Sequence, residues 1–300
     1  MIKDCSVCAK PFLKWAGGKR QLLAEIEKHY PFCDEVITKY AEPFVGGGAV
    51  LFDILNKYNL EEIYISDTNF ELVNTYLVVR DNVDDLIETL NKMQNQFVSL
   101  DVDRRKEYYL KKRGQFNEMI LFDDKSISTE KASLMIFLNR TCFNGLYRVN
   151  KKGLFNVPMG SYENPLICDE QNLRLASEKL QNVIIACGDY RKSADFIDNK
   201  TFVYLDPPYK PISDTAKFAA YTKDGFSDKD QVKLKDFVDK IDKKGAKFLM
   251  SNSEPKIEGE GDFFDKLYCD YKIRRVDACR AINCKGDSRG KIGELLISNF

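Results

Sequence analysis

The sequence has a single histidine, a single tryptophan and no long hydrophobic run, and these shortages exclude several classes of protein. A Ser-His-Asp hydrolase needs a histidine as its base, and an HExxH zinc enzyme needs two. The one histidine, His29, stands in a Lys-His-Tyr-Pro stretch that is typical of a solvated helix end. No run approaches the roughly 18 apolar residues of a membrane span, so we predict no membrane partner.

The cysteines are typical of reduced thiols. There are nine of them, an odd number without the spacing of a disulfide framework, and the N-terminal residues form no apolar signal segment. Both features predict a cytoplasmic protein. Cys5 and Cys8 form one CxxC pair, but the late pair, Cys279 and Cys284, is spaced too widely to complete a zinc site. We therefore predict no metal.

The order of predicted elements indicates an α/β fold. Within residues 36–67, a strand, a glycine turn, a helix and a second strand that ends in an acid make a βαβ unit. After about residue 183 buried strands return, with a helix near 228–243 and a final pair of strands that we expect to be antiparallel. The buried strands are expected at 183–186, 202–205 and 247–250, and the final pair at 267–279 and 293–299.

The middle of the chain differs in its pattern of charged and apolar residues. Charged and apolar residues mix there at helical spacing, and residues 141–165 are rich in Asn, Gly and aromatics, which favours a hairpin. We predict one α/β domain, residues 1–75 and 186–300, interrupted by a mostly helical insertion at 76–185. Residues 131–162 contain five basic residues and no acid, although the net charge of the whole chain is zero. Such a segment suits a phosphate backbone, and the alternative is chance clustering on a solvated surface.

The glycine turn, Glu42-Pro-Phe-Val-Gly-Gly-Gly48, stands where a strand meets a helix. Gly46 and Gly48 fit the start of a dinucleotide fingerprint, but Leu51 takes the third glycine's place, and no phosphate-binding P-loop is present. Asp67, at the end of the second strand, can accept hydrogen bonds from both ribose hydroxyls. These features favour a nucleoside cofactor such as S-adenosylmethionine, and the alternative is a purely structural turn.

The tetrapeptide Asp206-Pro-Pro-Tyr209 follows a very apolar strand. The exocyclic amine of adenine is a poor nucleophile, because its lone pair is delocalised into the ring. Two acceptors, the Asp206 carboxylate and the Pro207 carbonyl, would draw that nitrogen towards a tetrahedral geometry, and the prolines fix the carbonyl's direction. Tyr209 offers a face on which an extruded base can stack. The alternative is an ordinary turn after a strand.

Five motifs stand along the chain in a fixed order. They are Phe12-Leu-Lys-Trp-Ala-Gly-Gly-Lys19, the glycine turn, Ser66-Asp-Thr-Asn69, Leu138-Asn-Arg140 with Phe143-Asn-Gly-Leu-Tyr-Arg148 and Phe155-Asn-Val-Pro-Met-Gly160, and Asp206-Pro-Pro-Tyr209. Together, and in this order, they resemble the motifs of the DNA N6-adenine methyltransferases of the Dam and DpnM type, over nearly the whole chain. The resemblance implies a methyltransferase sheet of Rossmann-like topology, with 76–185 as the target-recognition domain. It also implies methylation of adenine within GATC.

The resemblance also assigns roles to individual residues. Ser161 departs from the family, which usually has Arg there, and this puts one phosphate contact in doubt. Catalysis falls to Asp206, Pro207 and Tyr209, cofactor binding to Trp15, Lys19, Phe44, Gly46, Gly48, Asp67 and Asp206, and DNA binding to Lys14, Arg140, Asn144, Leu146, Arg148, Pro158 and Tyr162. Of the last group, Lys14, Leu146, Arg148 and Pro158 match base-reading positions, and Asn144 and Tyr162 match positions beside the flipped base.

The predicted partner is double-stranded DNA, with a restriction endonuclease acting on the same DNA as an open possibility that involves no binding to this chain. Two other readings stay open on the sequence alone. One keeps the chemistry on a different DNA site or on RNA. The other is an inactive DNA-binding module that retains the cofactor pocket for structure.

Overall fold

Parallel pairing dominates the sheet of this protein. A computed structural model describes residues 8–15, 17–33, 36–122, 125–209, 226–253, 262–279 and 291–300. Within these residues, seven strands form one sheet in the order β3-β2-β1-β4-β5-β7-β6. The strands are β1 Lys39–Glu42, β2 Glu62–Asp67, β3 Val183–Cys187, β4 Thr201–Leu205, β5 Lys247–Ser253, β6 Lys272–Cys279 and β7 Lys291–Ser298. This sheet confirms the predicted α/β fold class.

Several of the longer helices lie in the middle of the chain. Long helices occupy residues 70–141, as the mixed charged and apolar texture predicts. The helices are α1 Leu23–Glu27, α2 Ala49–Lys57, α3 Phe70–Asp81, α4 Val83–Val98, α5 Val102–Leu121, α6 Thr129–Thr141, α7 Glu170–Leu180, α8 Asp228–Lys243 and α9 Asp262–Leu267.

The strand directions place the carboxyl ends of several strands at one edge of the sheet. β1 pairs in parallel with β2 and β4, and β4 pairs in parallel with β5. β7 runs antiparallel to β5 and to β6, as predicted for the final pair. The carboxyl ends of parallel strands share one edge, and ligands of open α/β sheets bind outside that edge. Since β7 is antiparallel, its N-terminal half reaches the same edge.

The chain divides into two compact units that interleave along the sequence. The first consists of Met1–Gly18, Gly46–Asn59 and Ser66–Gly188, and the second of Lys19–Val45, Leu60–Ile65 and Asp189–Phe300. These units are defined by compactness and not by role. The predicted target-recognition role of residues 76–185 therefore stays a prediction.

In the first unit, α6 is a central helix. It packs against α3, α4 and α5, and its run Leu134–Leu138 is buried without interruption. A helix that is apolar on all sides is stable only when neighbours cover every face. α6 ends at Thr141, so its rigid C-terminus carries the start of the 141–165 segment.

In the second unit, β4 lies between β1 and β5, and each of its five residues is buried. Burial on both faces explains why Phe202-Val-Tyr-Leu205 is almost continuously apolar. α8, which packs on β5, begins at a capping box in which Ser227 and Asp230 each accept the other's backbone N–H. His29 lies just after α1, partly exposed, with its pKa lowered chiefly by burial. Within the described residues, no helix is both long and apolar enough to span a membrane.

Candidate functional site

The Asp-Pro-Pro-Tyr segment lies directly after β4, at the carboxyl edge of the sheet, in the second unit. The Asp206 Oδ1 atom lies 3.2 Å from the Nζ atom of Lys19, whose side chain is only 4% exposed. Pro207 is buried, and Tyr209 is partly exposed. Two of the residues predicted for cofactor binding, Lys19 and Asp206, are thus in direct contact.

Asp206 is poised to titrate near neutral pH. Burial raises its pKa to about 6, while the neighbouring ammonium of Lys19 opposes this rise and the carboxylate of Glu294 adds to it. A buried carboxylate resists ionisation because the charged form loses its hydration. At pH 7.5 Asp206 is nevertheless mostly ionised, and an ionised carboxylate is an acceptor only, which suits a partner with N–H donors.

Phe44, another residue predicted at the cofactor, belongs to the same unit. It follows β1 and stacks on Tyr190, with ring centroids 5.1 Å apart and planes inclined by 30°. Phe226 meets it edge-on at 6.5 Å. Phe44 is partly exposed, so part of its ring is accessible to a planar ligand.

In the first unit, Asp67 holds the glycine turn. Its Oδ2 atom accepts the backbone N–H of Gly46 at 3.1 Å, and its Oδ1 atom accepts that of Asn69 at 2.9 Å. Burial raises the pKa of Asp67, and these backbone donors oppose the rise. The backbone N–H of Thr68 also acts on this carboxylate. A carboxylate has about four acceptor positions, so at least one remains for a hydroxyl donor such as those of a ribose.

Two aromatic residues leave no room for side chains at two glycines of the turn. Gly46 and Gly48 have φ angles of 48° and 72°, which side chains rarely adopt. A Cβ atom on Gly46 would lie 2.9 Å from Trp15, and one on Gly48 would lie 2.4 Å from the Tyr76 hydroxyl. That hydroxyl also donates to the Gly46 carbonyl at 3.1 Å. These contacts give the glycines a structural role, and their predicted role at the cofactor stays a prediction.

Trp15 connects the glycine turn to the 141–165 segment. Its ring stacks on Tyr147, with centroids 5.2 Å apart and planes inclined by 23°. Tyr147 is buried between two predicted DNA-reading positions, Leu146 and Arg148. The residue predicted at the cofactor thus contacts the segment predicted to read bases, within one compact unit.

The 141–165 segment has the antiparallel arms of a hairpin. Cys142 pairs with Met159 in an antiparallel bridge, and the backbone N–H of Phe143 donates to the Pro158 carbonyl at 2.9 Å. Asn144 is exposed with a φ of 56°, a left-handed conformation that asparagine tolerates in tight turns. Pro158 is also exposed, so the two arms present predicted DNA-binding residues together.

Lys14 joins this group through its backbone. The Asn139 side chain accepts the Lys14 N–H and donates to the Lys14 carbonyl, both at 2.8 Å, and also donates to the Gly145 carbonyl at 2.9 Å. The Lys14 ammonium lies 5.1 Å from the centre of the Tyr162 ring. Arg140 donates to the Phe12 carbonyl at 3.0 Å, so its position ties the same stretch to α6.

Arg148 is held by the opposite arm of the hairpin. Its Nε atom donates to the Asn156 side-chain oxygen at 2.8 Å, and the Asn156 backbone N–H donates to the Arg148 carbonyl at 3.1 Å. Guanidinium groups that are fixed in this way can offer two parallel donors to a planar acceptor edge. All the predicted DNA-binding residues therefore lie in the first unit, around one hairpin.

Comparison with known proteins places these residues in a family. A family model described as D12 class N6 adenine-specific DNA methyltransferase matches residues 15–282. The chain is 51% identical over 294 residues to the Type II methyltransferase M.MjaIII of Methanocaldococcus jannaschii, covering 97% of this chain and 99% of that protein. The chain belongs to the D12 class of N6 adenine-specific DNA methyltransferases.

Relatives with a different name match over similar lengths. The DNA adenine methylase of Vibrio cholerae is 35% identical over 288 residues, with 96% of this chain and 95% of that protein covered. The DNA adenine methylase of Escherichia coli K12 is 32% identical over 287 residues, with 96% and 94% covered. The resemblance that the motifs predicted is thus confirmed across almost the full chain.

Three residues of this methyltransferase stand beside predicted site residues but were missed from the sequence. Glu294 contacts Lys19 and Tyr209, and Tyr147 stacks on Trp15. Phe143 is 47% exposed beside Asn144, although it is a large aromatic. An aromatic residue within a basic loop is a signal that could have identified Phe143. No local motif marks Glu294.

Some predictions fall on residues that the structure does not describe. Ala16 of the first motif, Cys5 of the CxxC pair and Cys284 of the late pair lie outside the described residues. Among the residues that are described, no group of three or more His, Cys, Asp or Glu side chains could hold a metal ion.

Proposed function

We propose that this family member transfers a methyl group from S-adenosylmethionine to N6 of an adenine that is flipped out of duplex DNA, within GATC. The observation that carries the proposal is the Asp206 carboxylate directly after β4, 3.2 Å from the Lys19 ammonium. The family assignment supplies the reaction class, adenine N6 methylation of DNA. Asp206 supplies an acceptor of the kind that this reaction needs.

Asp206 and Pro207 would act on the target amine. The carboxylate accepts one N–H of the amine and the Pro207 carbonyl accepts the other, which localises the nitrogen lone pair for attack. With a pKa raised to about 6 by burial, the carboxylate is in its accepting form at neutral pH. Tyr209 would stack on the extruded base, and the Lys19 ammonium, 4.3 Å from the ring centre, covers the opposite face.

The described side chains fit the proposed cofactor. S-adenosylmethionine carries an activated methyl group on a cationic sulfonium. In the second unit, two carboxylates, Asp206 and Glu294, flank a single ammonium, Lys19, so this cluster carries one net negative charge when all three are ionised. Such a cluster favours a cation. In the first unit, Asp67 keeps an acceptor position for a ribose hydroxyl, and Trp15 is partly exposed.

The first unit would bind the DNA. Arg148 can bind a guanine edge through two donors, and Leu146 and Pro158 can contact a thymine methyl group. Lys14 would read a further base edge. Asn144 and Tyr162 would occupy the space beside the flipped adenine, with Arg140 contributing positive charge near the backbone. Ser161 supplies no positive charge for a phosphate, which affects affinity more than specificity.

The relatives support a proposal for the cellular setting. Two are named Type II methyltransferases and others DNA adenine methylases or methyltransferases, and they come from prokaryotes and a phage. We therefore propose that the chain acts on DNA in the cytoplasm of a prokaryotic or phage-infected cell. A restriction endonuclease could act on the same DNA without binding this chain.

A product analysis tests the proposed chemistry. Wild-type protein, S-adenosylmethionine and GATC-containing duplex are incubated, and the digested DNA is analysed for N6-methyladenine. We expect N6-methyladenine with the wild type and a loss of at least a hundredfold, of the order that positioned acid-base groups contribute, with Asp206→Asn. Asp239→Asn, which alters another lysine-paired carboxylate of the second unit, should keep normal turnover. Methylation of a different atom, or full activity of Asp206→Asn, would contradict the proposal.

A further inference from the structure

Glu294 is a mostly buried acid that contacts the Asp-Pro-Pro-Tyr segment from a distant part of the chain. Its Oε2 atom accepts the Tyr209 hydroxyl at 2.7 Å and lies 3.4 Å from the Lys19 Nζ atom. Its side chain is only 12% exposed. Burying a carboxylate is costly unless it is paired and hydrogen-bonded, so these two contacts account for its presence.

The sheet topology explains how Glu294 reaches this place. β7 is antiparallel to β5, and Glu294 stands opposite Ser253, the last residue of β5. The carboxyl ends of β4 and β5 lie at the same edge of the sheet, because these two strands are parallel. Because β7 runs antiparallel to β5, its N-terminal half lies at this edge, and the side chain of Glu294 can contact Tyr209.

Lys19, Glu294 and Tyr209 form a closed triangle beside Asp206. Glu294 holds the hydroxyl of Tyr209, and the Lys19 ammonium lies 4.3 Å from the centre of the same ring. The ring is thus fixed at its edge and over one face. The Lys19 ammonium lies within ion-pair distance of both Glu294 and Asp206. A substitution at Glu294 therefore also alters the surroundings of the ammonium that pairs with Asp206.

We propose that Glu294 is a positioning residue for methyl transfer, which fixes the Tyr209 ring and the Lys19 ammonium relative to Asp206. This inference rests on the proposed function of Asp206 and Tyr209, and deepens it. Glu294 acts through its neighbours and does not itself contact the adenine. Its removal lets the ring and the ammonium move, and small displacements of positioning groups are expensive in rate.

The charge of Glu294 provides a second consequence. Among the described residues, the ionisable groups that interact electrostatically with Asp206 are Lys19 before α1, Glu294 on β7 and Tyr204 on β4. Lys19 lowers the pKa of Asp206 and Glu294 raises it. Replacing Glu294 by glutamine removes its negative charge. Of the two carboxylates that pair with Lys19, only that of Asp206 then remains. Both effects move the pKa of Asp206 downward.

A second triangle in the same unit offers a matched control. Asp239 on α8 lies 2.7 Å from the Lys235 ammonium and accepts the Tyr271 hydroxyl at 2.6 Å. The Lys235 ammonium lies 5.1 Å from the centre of the Tyr271 ring. This group has the same three chemical parts as the triangle of Glu294, but no predicted site residue belongs to it.

The experiment compares Glu294→Gln and Glu294→Leu with Asp239→Asn and Asp239→Leu in single-turnover methyl transfer across a pH series. Glu294→Leu should slow the saturated rate roughly tenfold to a hundredfold, with KM values for cofactor and DNA changing less. Glu294→Gln keeps an acceptor for Tyr209, so it should recover part of the rate and shift the acid limb of the profile to lower pH. The Asp239 variants should keep the wild-type rate and profile.

A measurement without turnover keeps the inference testable if Glu294→Leu does not fold. The carboxyl carbon of Asp206 is titrated by NMR in labelled protein, with and without Glu294→Gln. A lower pKa in the variant supports the inference. An unchanged saturated rate and an unchanged Asp206 titration in folded Glu294→Gln would overturn it, as would a pure KM effect. An inactive wild type would instead contradict the proposed function, while the NMR titration would still decide the role of Glu294.

Discussion

The Lys19 ammonium lies 3.2 Å from the carboxylate of Asp206, and this ion pair stands at the carboxyl end of β4, a strand whose five residues are all buried. Lys19 comes from the first motif of the chain and Asp206 from the last. Their contact brings together two short motifs that are separated by most of the sequence. Burial raises the pKa of the Asp206 carboxyl, and the neighbouring lysine opposes that rise.

The pH dependence of turnover follows from this pair. Burial raises the pKa of Asp206 to about 6, so below that pH the carboxyl is protonated and loses its acceptor role. We expect the rate of methyl transfer to fall about tenfold per pH unit well below pH 6 and to level off above it. A pH series of single-turnover rates in constant ionic strength measures this limb.

Lys19→Met sharpens the same prediction. Lys19 lowers the pKa of Asp206, so its removal should move the acid limb to higher pH, opposite to the shift expected for Glu294→Gln. Lys235→Met, which breaks the ion pair with Asp239, serves as the control and should leave the limb in place. If the acid limb of the pH–rate profile of Lys19→Met lies at the wild-type pH or lower, Lys19 does not lower the pKa of Asp206, and the prediction is wrong.

Asp67 gives a prediction for cofactor affinity. Asp67→Asn replaces one acceptor oxygen by an N–H donor, which faces the N–H of Gly46 or of Asn69. We expect the Kd for S-adenosylmethionine to rise roughly tenfold or more, as for the loss of a charged hydrogen bond. Isothermal titration calorimetry measures it, with the exposed helix cap variant Asp101→Asn as the control. Equal affinities for all three proteins would exclude a cofactor role for Asp67.

Much of this arrangement could be predicted from the sequence, because it is encoded locally. The apolar run before Asp206 predicts a buried strand, and a polar tetrapeptide after such a strand lies at the edge where ligands bind. The Asn, Gly and aromatic residues of 141–165 likewise predict the hairpin that carries Arg148.

The remaining contacts depend on tertiary structure. Glu294 reaches Tyr209 only because β7 is antiparallel, and no spacing in the sequence specifies which side chain of that strand faces the tetrapeptide. The stack of Trp15 on Tyr147 joins two segments far apart in the chain. The domain prediction followed changes in composition along the chain, whereas each of the two compact units consists of three separate segments of the chain.

Gly48 should be intolerant of a side chain. Gly48→Ala would place a Cβ atom 2.4 Å from the Tyr76 hydroxyl at a φ of 72°, so we expect a loss of about 1–3 kcal/mol in the free energy of unfolding. Gly114→Ala is the matched control, because nothing lies within 4 Å of its Cβ position on α5. That variant should gain about 0.5–1 kcal/mol from helix propensity. Urea unfolding of both variants measures the difference, and equal stabilities would contradict it.

Arg148 should determine discrimination among DNA sites. Arg148→Ala removes the guanidinium that Asn156 orients, so kcat/KM for the preferred duplex should fall while that for single-base variants changes little. The lost discrimination should be about 1–3 kcal/mol at the base pair that Arg148 contacts. Arg104→Ala, on the exposed surface of α5, should leave the ratio unchanged. Uniform weakening on every duplex would instead indicate a phosphate contact.

The most direct test of the account is transfer of labelled methyl from S-adenosylmethionine to two short duplexes that are identical except for GATC in one and GTAC in the other. We predict label in the GATC duplex alone, and no label when Asp206→Asn replaces the wild type. Equal label in both duplexes would contradict the assigned recognition by the 141–165 segment. Label in neither duplex, with cofactor still bound, would contradict the proposed activity on duplex DNA.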